Sequence, residues 1–216
     1  EELPDALSAA MGGDVGFTTI EGFLIIEIYR MTWMLILGSY FAYASASLVA
    51  GEIERGSIEL TLMNPVRRRR VVFEKFLSTV PEAVVVSSLT LVAVIGSLEA
   101  IDESVGFVSL VLLHSVGAVY LVACAGFGVL VSCLIDGEQR AQVVGFGGIA
   151  AMYIVEAVTR DTDHDWVGRL TLARYFDPNT VLIDGDVDGG ETLVLVGATV
   201  LFVWTAAFVF ERSDIG

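Results

Sequence analysis

Only 18% of the 216 residues are charged, so the few ionisable groups standing inside apolar sequence are where chemistry is sought first. Glu82, His114 and Glu156 are such groups. A charge at bilayer depth is costly, which makes each a candidate for a substrate or ion role. The competing reading is interfacial or bundle-facing packing. Glu82 follows Pro81, Glu156 lies two residues from the end of its apolar run, and His114 is in the first third of its own. The three would serve a membrane-embedded enzyme only if their helices converged. No H-E-x-x-H or G-x-S-x-G motif is present. The two histidines stand fifty positions apart and make a poor metal pair. A second group is Asp161, Asp163, His164 and Asp165, followed by Asp184, Asp186 and Asp188. It lacks the glycine and distal glutamate spacing of an EF-hand, so a solvated acidic loop is expected. Cys124 and Cys133 sit on opposite sides of one helical run and are expected to pack as small apolar residues.

These groups must be carried by elements that the composition largely dictates. The chain is 55% apolar with a mean hydropathy of +0.72, against about 45–50% apolar in a soluble domain. One core of this size cannot enclose that surface. The net charge of −15 argues against a nucleic-acid partner, which needs clustered cations. Eleven of the twelve bases are arginine, and with the aspartate-rich loops this fits a halophile's chain. What remains is an all-α integral membrane protein, a single transmembrane domain. A bilayer core about 30 Å thick takes roughly 20 apolar helical residues. Five segments qualify: 31–50, 77–98, 107–135, 141–158 and 192–210. None alternates polar and apolar residues as barrel strands do. Gly38, Ser45, Ser47, Gly117, Gly126, Gly128, Gly145, Gly147 and Gly148 recur inside the spans and let helix backbones approach.

Arginine and lysine placement sets the orientation. Residues 51–76 carry Arg55, Arg67, Arg68, Arg69, Arg70 and Lys75, and Arg140 and Arg212 fall on the same side. The opposite side holds 1–30, 99–106 and 159–191, with 17 acids and four arginines. The basic side is expected in the cytoplasm of a multi-pass cell-membrane protein, with the C-terminus inside. The outer segment 1–30 begins with a short amphipathic helix over 3–11, and Glu27 and Arg30 are spaced to pair at the mouth of the first span. An outside N-terminus requires a further span upstream, so six spans are expected in the full-length protein.

The most specific stretch is GEIERGSIELTLMNPVRRRRVVFEKF, residues 51–76. It leaves the membrane through Glu52 and Glu54, meets Gly56, and is stopped by Asn64-Pro65 before four arginines. Ile58, Leu60, Leu62 and Met63 would be exposed unless they rest on lipid headgroups or another protein. Glu52, Glu54, Gly56, Ser57, Ile58, Glu59, Leu60, Leu62, Pro65, Val66, Arg68, Val71, Val72 and Lys75 form a pattern that resembles the first cytoplasmic loop of ABC-2-type transporter permeases. Tyr175-Phe176-Asp177-Pro178 and Phe210-Glu211-Arg212-Ser213-Asp214-Ile215 are weaker echoes of the same family. Ser57, Thr61 and Arg67 depart from its usual residues.

The resemblance implies the permease subunit of an exporter, whose loop docks on a separate ATP-binding subunit. ATP and magnesium would sit on that subunit, with no cofactor on this chain, and a second permease copy would complete a dimer. Glu52, Glu54, Arg55, Glu59 and Arg67 to Arg70 become the contact candidates, with Ile58 and Leu60 filling a groove. The alternative for the arginines is that they retain the loop inside and touch anionic lipid. The single lysine, Lys75, stands between Glu74 and Phe76, so no G-x-x-x-x-G-K-[ST] phosphate loop exists here. An enzyme built on Glu82, His114 or Glu156 and an ion-driven transporter remain the alternatives at this stage. No inverted repeat favours the latter.

Overall fold

The computed structural model describes residues 19–57, 67–160 and 162–212. Among them are helices and turns, with no strand. Five helices are long and apolar enough to cross a bilayer: α1 (Ile20–Glu54), α2 (Arg68–Ala100), α3 (Phe107–Leu134), α4 (Glu138–Thr159) and α5 (Gly189–Arg212). Hydrocarbon offers no water to backbone N–H and C=O groups, so apolar runs of this length satisfy themselves as helices. The protein is an all-α integral membrane bundle, as its composition requires.

α3 is the axis and packs against all four other long helices. α1 lies against α3 and α4, and α2 against α3 and α5. In their most apolar stretches 56% of α1 and 50% of α3 is buried, against 22% of α2 and of α4. α1 and α3 therefore form the centre, while α2 and α4 turn most of their surface outward. Small residues set the closest approach. A Cβ on Gly128 would stand 2.3 Å from the Ala42 carbonyl oxygen, and one on Gly145 would stand 2.9 Å from the same atom. α1, α3 and α4 thus meet at Ala42. Higher up, the Trp33 indole fills the notch left by Gly117 and donates its Nε1–H to the Gly117 carbonyl at 3.2 Å.

The helices run further than the apolar runs alone indicate. α1 begins at Ile20 rather than residue 31, and α2 begins at Arg68 rather than residue 77. The polar ends are held by ion pairs described below. α2 also continues through Pro81. Within α1, Leu24–Leu37 is wound as a π-helix between the α-helical turns Ile20–Phe23 and Gly38–Glu54. Its wider turn increases the angle between positions three apart. Glu27 is accordingly exposed, while Arg30 is turned inward and buried, lining a small cavity with Glu156 and Arg160. Its charged neighbours there are Glu156 of α4 and Arg160 just beyond that helix. The expected amphipathic helix at 3–11, and Ile58, Glu59, Leu60, Leu62, Met63, Pro65 and Val66, lie outside the described residues.

The stretch between α4 and α5 is not solvated throughout. It folds back in short turns, Asp165–Gly168, Leu172–Tyr175 and Thr180–Asp184. Leu172, Ala173, Phe176, Val181 and Leu182 are buried with the main core. Phe176 stacks on Tyr120 of α3 with ring centroids 5.5 Å apart.

Candidate functional site

Chemistry-bearing side chains collect at the two ends of the bundle and at one place between them. At the arginine-rich end, α1 finishes at Gly56, whose φ of +68° is a left-handed helix exit that suits glycine. Just before it, Glu52 pairs with Lys75 of α2 at 2.6 Å. Arg55 pairs with Glu138 of α4 at 2.7 Å, and Glu54 accepts the Glu138 backbone N–H at 2.6 Å. Arg69 of α2 grips Glu211 of α5, its Nε–H donating at 2.6 Å. Arg70 pairs with Glu74 one turn on, at 2.7 Å. Deeper, the Ser132 hydroxyl of α3 accepts the N–H groups of Val49 and Ala50 of α1 at 3.0 and 2.9 Å. Every one of the five helices is thereby tied to another at this end, directly beside the point where residues 58–66 leave and return.

Of the loop residues singled out from sequence, Glu52, Glu54, Arg55, Arg69, Arg70 and Lys75 are thus bonded within the chain. Gly56 lies in the turn that follows α1, and the Ser57 hydroxyl donates back to the Glu52 carbonyl at 3.4 Å. Arg67 is exposed at the start of α2, and Arg68 is half-buried. Glu138, Glu211 and Ser132 were not legible as parts of this cluster, because they stand far from residues 51–76 in sequence. The available signals were an acid directly after Gly137 at a helix start, where the macrodipole favours it, and the Phe210-Glu211-Arg212 echo.

At the opposite end a second cluster is more buried. The Glu156 side chain is only 5% exposed and its Oε1 accepts from Arg160 at 3.0 Å and Arg174 at 3.1 Å. Arg160 also pairs with Asp177 at 3.0 Å, and Arg174 with Asp165 at 2.9 Å. Gly168 makes room for Glu156: a Cβ there would stand 2.2 Å from its Oε2. Burial alone would raise the Asp177 carboxyl, but the Arg160 guanidinium and the Asn179 amide outweigh it and hold it below its ordinary value. Burial pulls Arg160 down, and Asp177 and Glu156 together hold it above its usual value. The Tyr175-Phe176-Asp177-Pro178 echo supplies one acid of this clasp. Within the acidic stretch 159–191, arginines 160 and 174 are thus engaged by Glu156, Asp165 and Asp177.

His114 lies between the two ends. It is 3% exposed and meets the rings of Tyr29 and Trp33 edge-on, centroids 5.5 and 5.3 Å away. Its Nδ1 stands 2.8 Å from the Leu110 carbonyl oxygen. Glu82 is exposed on the outer side of α2. No hydrogen bond or ion pair among the described residues joins any two of Glu82, His114 and Glu156. They do not form the converged acid–base set that an intramembrane enzyme requires.

The fold and these clusters define a class: a five-helix integral membrane bundle with charged clasps at both ends. Residues 8–215 match the family described as ABC-2 family transporter protein. The chain belongs to that family. No curated protein and no solved structure matches it.

Proposed function

We propose that this chain is the membrane subunit of an ATP-driven transporter, worked by a separate ATP-binding subunit that docks at the arginine-rich end. The observation that carries this is the linkage of all five helix ends around the exit of residues 58–66. Glu52–Lys75, Arg55–Glu138, Arg69–Glu211 and the Ser132 hydroxyl join α1 to α2, α4 and α3, and α2 to α5. A displacement applied to that segment is passed to the whole bundle at once, which is what a lever needs. On this reading the arginine-rich end faces the cytoplasm of a cell-membrane protein. Glu59, Ile58, Leu60 and the exposed Arg67 meet the partner, which holds ATP and magnesium, while the paired residues transmit the movement. A second permease copy completes the translocating unit, and the direction is export.

The test is co-reconstitution with the ATP-binding subunit that co-purifies with it from its native membrane, reading ATP hydrolysis and co-purification. Gly56→Trp and Glu59→Arg are expected to abolish both while leaving the membrane subunit folded. Unchanged stimulation of hydrolysis in both variants would overturn the reading.

A further inference from the structure

Between the parts of α1 and α2 nearest the acidic end of the bundle lies an apolar groove of about 310 Å³. Leu24, Val94 and Leu98, each 5% exposed, form its floor, and Ile20, Phe23 and Ile101 form its rim. The rim is bare, with Phe23 47% and Ile101 57% exposed. The polar residues of the wall need no partner from outside. Thr90 and Ser97 donate to the Val86 and Ala93 carbonyls of their own helix at 2.9 and 2.8 Å. An occupant must therefore bring apolar surface rather than hydrogen-bonding groups. Lipid tails do not reach the upper rim. Along α2 the rise from Lys75 to Ile101 is roughly 39 Å at ~1.5 Å per residue, against a hydrocarbon core of about 30 Å. Ile101 stands between Glu99 and Asp102, both exposed, at the level of water. The helix end holds it there: Asp102 takes a left-handed φ of +57°, and the Glu103 N–H returns to the Leu98 carbonyl at 3.0 Å. An apolar rim at that level is suited to a cover that is apolar on one side and polar on the other.

We propose that the cover is residues 3–11 of the same chain, folded back over the groove as an amphipathic helix. Residues 1–18 lie outside the described residues and lead directly into Thr19, beside Ile20 of the rim. At helical spacing Leu3, Leu7, Ala10 and Met11 share one face, while Asp5 and Ser8 fall on the other. From Leu3 to Met11 is roughly 12 Å of helix, within the roughly 16 Å of α2 from Thr90 to Ile101. Residues 12–18 reach at most about 25 Å, and Gly12, Gly13 and Gly16 let the chain reverse. The apolar face then rests on Phe23, Leu98 and Ile101, with Asp5 and Ser8 turned to water. Charge attraction plays no part. Glu1, Glu2 and Asp5 of the segment and Glu21, Glu99 and Asp102 near the rim are all acidic, so burial of apolar surface outweighs their repulsion. The cover joins α1 to α2 at the end opposite Glu52–Lys75.

The test uses the full chain in phosphatidylcholine nanodiscs, carrying Cys124→Ala and Cys133→Ala with Ile101→Cys as the reporter. A membrane-impermeant maleimide is expected to label position 101 slowly. Adding Leu7→Asp should speed that labelling about tenfold, the worth of one partly buried leucine. The same change should leave a Trp166→Cys reporter, exposed on the strap at the same end, unaffected. Raising salt from about 0.1 to about 1 M should slow labelling at 101 further, because it screens the repulsion between the acids. Under copper–phenanthroline oxidation, Leu7→Cys with Ile101→Cys should close a disulfide within one chain, and Asp5→Cys with Ile101→Cys should not. That comparison decides the matter should Leu7→Asp fail to fold. Equal labelling with and without Leu7→Asp, or labelling that quickens with salt, overturns the proposal. So does equal cross-linking from Asp5→Cys, or a disulfide that joins two chains and so shows a second copy over the groove. None of these measurements reads ATP hydrolysis, so the outcome is independent of the permease reading.

Discussion

Single glycines carry much of the close packing, and their roles separate only in three dimensions. Gly128 and Gly145 both abut the Ala42 carbonyl oxygen, at 2.3 and 2.9 Å from where a Cβ would be. Gly147, two positions along α4, has nothing within 4 Å. Gly128→Ala is therefore expected to force α1 and α3 apart and to destabilise the bundle by roughly 1–3 kcal/mol or more, the usual cost of overpacking a close-packed core. Gly147→Ala should be neutral or stabilise by up to about 1 kcal/mol, since alanine is the better helix former. Thermal unfolding followed by tryptophan fluorescence in detergent orders the two, and equal midpoints would contradict the packing described here. The sequence placed all of these glycines inside spans and assigned them to helix contacts. It could not separate Gly128 from Gly147, because that depends on how each helix is rotated about its axis. His114 was legible as a buried polar candidate for a related reason, its isolation in apolar sequence.

At the scale of elements, the segment between α4 and α5 acts as a strap closed by buried ion pairs. Glu156→Gln removes the carboxylate shared by Arg160 and Arg174 and leaves two guanidinium groups short of a partner. Breaking a buried pair from one side costs about 3–5 kcal/mol. The expected outcome is a strap that opens more often, read as faster tryptic cleavage at Arg169 with the spanning helices still protected. The pH dependence has a definite sign. The Asp177 carboxyl is held below its ordinary value in the folded protein, so its contribution is complete above the unfolded value of about 3.9 and is lost as pH falls through the lower folded value. Protection of Arg169 should therefore be constant from about pH 5 to 8 and decline only below about pH 4. A loss of protection near pH 6.5 would point to a histidine in place of Asp177. The existence of the five long helices was legible from hydropathy, because a bilayer demands long apolar runs. Their ends were not. The polar turns at 51–54 and 68–76 are helical because Glu52, Glu54, Arg55, Arg69 and Lys75 find partners on other helices. The π winding of Leu24–Leu37 likewise left no periodic signal in an almost uniformly apolar stretch, so Arg30 was assigned to the wrong neighbours.

Across the whole molecule the two clasped ends differ in a way that bears on how movement would pass between them. The acidic end is closed by buried pairs, Glu156 among them at 5% side-chain exposure, whereas at the arginine-rich end Arg55 and Arg69 are 57% and 50% exposed. Exposed pairs are worth roughly 0–1 kcal/mol each and re-form easily, which suits contacts that must rearrange in every cycle. Glu52–Lys75 differs, with side chains 27% and 17% exposed, and it joins the exit of α1 directly to the re-entry through α2. On the proposed function this pair makes the two sides of the lever move as one piece. Lys75→Glu should then uncouple, reducing stimulated ATP hydrolysis while the ATP-binding subunit stays bound. The double swap, Glu52→Lys with Lys75→Glu, restores the attraction with opposite sense and should recover most of that stimulation, with a coupling of about 0.5–3 kcal/mol in the corresponding stability cycle. Recovery of stability without recovery of hydrolysis would show that the pair only fastens the fold. Failure to recover either would mean that the orientation of the two charges, not their attraction, is what the partner reads.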